Sequence, residues 1–169
     1  SPESYMTLRQ TYVRYWPEGV LTTLIALLFI PVFATPGFLF FLVWIWAPSI
    51  APLQMNSISL LTGLPTQLIA HALAVLFPSE IVQKILLATA LIGIGTGAVT
   101  LTRSIIAQKI PYTARQIVAL SVGIFATCNP FILNRISLGH INLLFGYALT
   151  FWALSALMQA IQSPSKKRF

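Results

Sequence analysis

The residues best suited to chemistry lie in one stretch, Asn129-Pro130-Phe131-Ile132-Leu133-Asn134-Arg135-Ile136-Ser137-Leu138-Gly139-His140, with Asn142 just beyond it. Arg135 brings a planar fork of hydrogen-bond donors, and Asn134, His140 and Asn142 add amide and imidazole N–H groups. Such a cluster facing a cavity suits phosphate or hydroxyl groups. The competing use of the same residues is that Arg135 reaches for lipid phosphate while Asn129-Pro130 only turns the chain. Asn129 has a further role, because its side chain can satisfy backbone groups that Pro130 leaves free.

Acids are scarce. Glu3, Glu18 and Glu80 are the only carboxylates, and there is no aspartate. On the side of the membrane expected to carry Arg135, a general base would have to be Glu80 or lie outside this sequence. His71 and His140 stand far apart without a partner acid, so no metal site is recognisable and no cofactor is evident. Cys128 is the single cysteine, which rules out an intrachain disulfide and a cysteine-based zinc site. Within its apolar run it reads as a small buried hydrophobe. Gly93-Ile94-Gly95-Thr96-Gly97-Ala98 matches a loose dinucleotide pattern but has neither a preceding strand nor a following acid. Gly93 and Gly97 read instead as a small-xxx-small pair where two membrane helices approach closely.

The elements that must position these residues follow from composition. Of 169 residues, 57% are hydrophobic and 8% charged, with a mean hydropathy of +0.84. A soluble domain carries roughly 25% charged residues, so lipid is the solvent that fits. Between Glu18 and Glu80 there is no Asp, Glu, Lys or Arg. Runs such as Leu24-Ile25-Ala26-Leu27-Leu28-Phe29-Ile30 do not alternate, which excludes barrel strands and leaves helices. The expected fold is all-α, a transmembrane helical bundle of about four spans plus short interfacial or juxtamembrane helices. The formal net charge of +7 sits at the ends of apolar runs rather than in a stripe, which points to topology and anionic lipid rather than nucleic acid.

Residues 1–18 read as an amphipathic interfacial segment, with Tyr15 and Trp16 at headgroup depth. The spans are expected at 20–46, 81–102, 116–133 and 141–161. The first, at roughly 40 Å, exceeds a ~30 Å hydrocarbon core and is expected to kink at Pro31 and Pro36. Residues 47–80 form an outer loop with a short helix over Thr66–Phe77, and Ser79 is expected to cap the next span with Glu80 in its first turn. Counting Lys and Arg at span ends places Arg9, Arg14, Arg103, Lys109, Arg115, Lys166, Lys167 and Arg168 on one side and only Lys84 and Arg135 on the other. Both termini are therefore expected in the cytoplasm. The spans show no ionisable group at mid-membrane depth, which argues against an ion-coupled transporter.

Asn129-Pro130-Phe131, Arg135, Gly139-His140 and Leu144-Phe145-Gly146-Tyr147-Ala148 together resemble a pattern of polytopic bacterial and archaeal membrane proteins related to GT-C-type glycosyltransferases. The resemblance covers about the last two-thirds of the chain. It implies a bacterial or archaeal cytoplasmic membrane protein, of which this chain is the N-terminal portion. It also implies transfer of a sugar from a polyprenyl-phosphate carrier at the outer face, with Arg135, Asn134, His140 and Asn142 binding the phosphate or sugar. A catalytic carboxylate in the first outer loop, often with a divalent metal, belongs to that pattern. The sequence departs there, since Ala47–Ser79 holds no carboxylate and offers only Gln54, Asn56 and Gln67. The alternative expectation is a non-catalytic helical subunit or assembly factor that pairs with other transmembrane helices through Gly93 and Gly97.

Overall fold

The computed structural model describes residues 2–37, 64–106 and 110–162. Six helices account for nearly all of them: α1 (Pro2–Ala34), α2 (Leu64–Ala74), α3 (Ser79–Ile105), α4 (Tyr112–Cys128), α5 (Pro130–Ser137) and α6 (Ile141–Gln162). There is no strand among the described residues. Four stretches, Tyr15–Ala34, Ser79–Ile105, Tyr112–Ser137 and Ile141–Gln162, are long and apolar enough to cross a membrane. The chain is an all-α helical bundle with the character of an integral membrane protein. α2, about 16 Å long, is too short to span.

α1 joins the expected interfacial segment to the first part of the first span. The segment before residue 18 is helical without a break, and α1 runs on through Pro17 and Pro31. The helix of the first span stops at Ala34. Pro36 disfavours helical geometry at Thr35, and Gly37 then turns the chain with φ +108°, a region open to glycine. Thr35 closes the end, its N–H and hydroxyl both donating to Pro31 O at 3.1 Å. Residues 38–63 lie outside the described residues, and with them the rest of the expected first span and most of the expected outer loop.

α3 is the axis of the bundle. Val82, Leu86, Ala90, Ile94, Ala98 and Val99 are all buried, and α1, α2, α4 and α6 pack around it. Contact pairs fix the directions. Thr35 meets Lys84 and Glu18 meets Arg103, so α1 and α3 are antiparallel. Arg103 meets Gln116, and a Cβ on Gly123 would touch Val99, so α3 and α4 are antiparallel too. A Cβ on Gly93 would meet Ala148, one on Gly97 would meet Phe151, and Ser104 lies beside Ser155, so α3 and α6 run parallel. Apolar side chains such as Leu24, Leu28, Phe125 and Leu149 face outward, as lipid contact demands.

Lipid gives helices no hydrophobic reason to associate, so close packing and polar contacts must hold them. The glycines of α3 supply the first. At Gly97 a Cβ would come within 2.9 Å of the Phe151 Cβ and 3.0 Å of the Trp152 indole. With no side chain at Gly97, the Gly93 carbonyl is open, and Trp152 Nε1 donates to it at 3.1 Å. Gly95 and Gly123 do the same between α3 and α4, a Cβ on Gly123 standing 3.1 Å from Gly95 O. Gly93 and Gly97 are thus filled by the chain's own α6.

Candidate functional site

The helix that carries Arg135 is set by two local devices. Asn129 stands between α4 and α5 in extended geometry, as a residue before proline should. Its Oδ1 accepts from Ile132 N at 3.1 Å and caps α5. Its Nδ2 donates to Ala126 O at 2.7 Å, the carbonyl that the missing N–H of Pro130 would have taken. At the other end α5 closes in a Schellman motif. Gly139 N donates to Ile136 O and His140 N to Arg135 O, with Gly139 at φ +73°.

That closure brings Arg135 and His140 together. Arg135 Nη1 donates to His140 Nδ1 at 3.1 Å. A guanidinium can only donate, so the imidazole accepts at Nδ1 and carries its proton on Nε2, which remains a donor. The guanidinium also lies over the Phe131 ring, 5.0 Å from its centroid. Arg135 Nε is buried with no acceptor among the described residues. From Phe131 a row of rings leads down α6: Phe131 to Tyr147 at 5.9 Å and Tyr147 to Phe151 at 4.7 Å. Asn134 and Asn142 are exposed nearby in sequence, and neither side chain bonds to Arg135 or His140 among the described residues.

A second polar group belongs to the same end of the bundle. Lys84 is 2% exposed and donates from Nζ to Thr35 O at 2.7 Å. One turn earlier, Glu80 Oε2 accepts from Gly37 N at 2.9 Å. Lys84 and Glu80 together pin the chain where it leaves α1. From the Gly93–Ala148 contact, Lys84 lies about 13 Å up α3 and His140 about 12 Å up α6, so they share a depth. Among the described residues at this end Glu80 is the only carboxylate, and its Oε2 is taken by a backbone N–H.

Several expectations need correction. The cap of α3 is Pro78 rather than Ser79, and no side chain bonds there as a cap. Proline fixes φ but has no acceptor to offer. Cys128 is exposed at the end of α4 rather than buried, because α4 turns it away from α3. His71 bonds through Nδ1 to Gln67 O at 2.8 Å.

At the far end lies a cluster that sequence reasoning did not single out. Arg103 forms a two-pronged ion pair with Glu18, Nη1 to Oε1 and Nη2 to Oε2, the latter at 2.7 Å. Its Nε donates to Gln116 Oε1 at 2.8 Å, and Arg115 Nη2 donates to Arg103 O. The count of Lys and Arg had put Arg103 and Arg115 on one side, which was the available signal. Farther along, Ser104, Ser155 and Gln159 form a chain of hydrogen bonds between α3 and α6, and Gln162 Nε2 donates to Ser104 O at 2.6 Å.

No known protein family, curated protein or solved structure matches the chain. Among the described residues, no group of three or more His, Cys, Asp or Glu side chains could hold a metal ion. Arg135 and His140 bring hydrogen-bond donors side by side, and Arg135 Nε has no acceptor among the described residues.

Proposed function

We propose that this chain is the membrane region of a GT-C-like transferase, in which Arg135 and His140 hold the phosphate of a polyprenyl-linked sugar at the outer face of a bacterial or archaeal cytoplasmic membrane. The observation that carries the reading is the Arg135–His140 contact, 3.1 Å long. It presents a guanidinium fork and an imidazole N–H side by side, with Arg135 Nε lacking an acceptor among the described residues. A phosphate takes such donors bidentately. The aromatic row Phe131–Tyr147–Phe151 descends from that point into the apolar part of the bundle, where a lipid chain would lie. In this reading Asn134 and Asn142, both exposed, take the sugar hydroxyls. A divalent metal enters only through the family resemblance, and the described residues offer no ligand set for one. The catalytic base of the reaction is supplied from outside the described residues.

The test is the Arg135→Ala variant of the full-length protein. Loss of one charged hydrogen-bonding partner is expected to weaken donor-lipid binding by at least about tenfold. Unchanged affinity and unchanged transfer would remove Arg135 from the site. A rival reading, a non-catalytic helical subunit, draws on the absence of any carboxylate between Ala47 and Ser79. Lipid binding that depends on Arg135 in a native protein without transferase activity would favour it.

A further inference from the structure

The end of the bundle opposite Arg135 holds a positive charge that the described chain does not answer. Glu18 gives both carboxylate oxygens to Arg103. Arg115, in the first turns of α4, spends Nη2 on Arg103 O, and its Nε is buried without an acceptor among the described residues. A guanidinium has five donors, and the described contacts engage one. Among the described residues no carboxylate bonds to it. The chain has none after Glu80, and Glu80 is at the other end. Glu3 precedes Glu18 on the same unbroken helix by about 22 Å.

Apolar surface runs away from this guanidinium along one face of α4. Val118, Val122 and Phe125 follow Arg115 at intervals of three, four and three residues, and all three are exposed. Tyr112 and Ile110 are exposed beside it at the helix start. A soluble anion would use the charge alone, whereas an amphiphile uses both the charge and the stripe.

We infer that Arg115 and the Val118–Val122–Phe125 face form a binding site for an anionic phospholipid, with the headgroup phosphate on the guanidinium and an acyl chain along the stripe. The site is independent of the Arg135 cluster and lies at the opposite end of the bundle. It uses the charge-assisted, bidentate recognition of phosphate that favours arginine over lysine.

The experiment is native mass spectrometry of the full chain in detergent, supplied with dioleoylphosphatidylglycerol or dioleoylphosphatidylcholine. The expected result is one phosphatidylglycerol retained about fivefold or more over phosphatidylcholine. Arg115→Gln abolishes that preference, and Leu149→Ala, on the outward face of α6, leaves it unchanged. In the wild-type protein, phosphatidylglycerol but not phosphatidylcholine slows modification of Arg115 by phenylglyoxal, a readout that needs no variant. Equal retention of the two lipids, a preference that survives Arg115→Gln, or unaltered labelling of Arg115 would overturn the inference. Full competition by millimolar inorganic phosphate would overturn the lipid assignment in favour of a soluble anion.

Discussion

Arg135 and His140 face each other because their backbones do. They occupy the two ends of the six-to-one hydrogen bond of the helix closure, and that bond needs a left-handed residue between them. Gly139 at φ +73° fills the need. Gly139→Ala is expected to cost about 1 kcal/mol in thermal unfolding in detergent and to weaken donor-lipid binding with it. A loss of stability with full lipid affinity would separate the closure from the site. Part of this was legible in the sequence. Asn129 could be assigned its work from Pro130 alone, since a missing N–H strands a carbonyl wherever the helix packs. Arg135 and His140 stood out by type. The burial of Lys84 and the exposure of Cys128 were not legible, because they depend on which face of α3 and of α4 meets its neighbours.

Between elements, glycine replaces the hydrophobic effect as the means of association. α6 lies against Gly93 and Gly97 closely enough that its Trp152 reaches a main-chain carbonyl. Gly97→Leu is expected to force α6 away and destabilise the bundle by about 1–3 kcal/mol, read as the loss of folded protein on titration with a denaturing detergent. The Glu18–Arg103 pair ties α1 to α3 with side chains 17% and 13% exposed. Glu18→Gln is expected to cost about 2 kcal/mol in the same titration. The same change made in an Arg103→Met background should cost much less, because the partner is already gone. Periodicity and composition located α3 and α6 within a few residues. They did not show where α1 ends, since the apolar run continues past Pro36 while Thr35-Pro36-Gly37 stops the helix. The Glu18–Arg103 pairing joins residues far apart in sequence and becomes visible only once α1 and α3 are set antiparallel.

At the scale of the molecule, one end of the bundle gathers Lys84, Glu80, Arg135 and His140, and the other gathers Glu18, Arg103, Arg115 and Gln116. The two proposed lipid sites need these ends to lie on opposite faces of a membrane. Cysteine accessibility tests this most directly. In a Cys128→Ser background, Thr113→Cys reports the start of α4 and Ser137→Cys the end of α5, in intact cells and in inside-out vesicles treated with a membrane-impermeant maleimide. The account predicts labelling of Ser137→Cys from the outside only and of Thr113→Cys from the cytoplasmic side only. Labelling of both positions from the same side would contradict it.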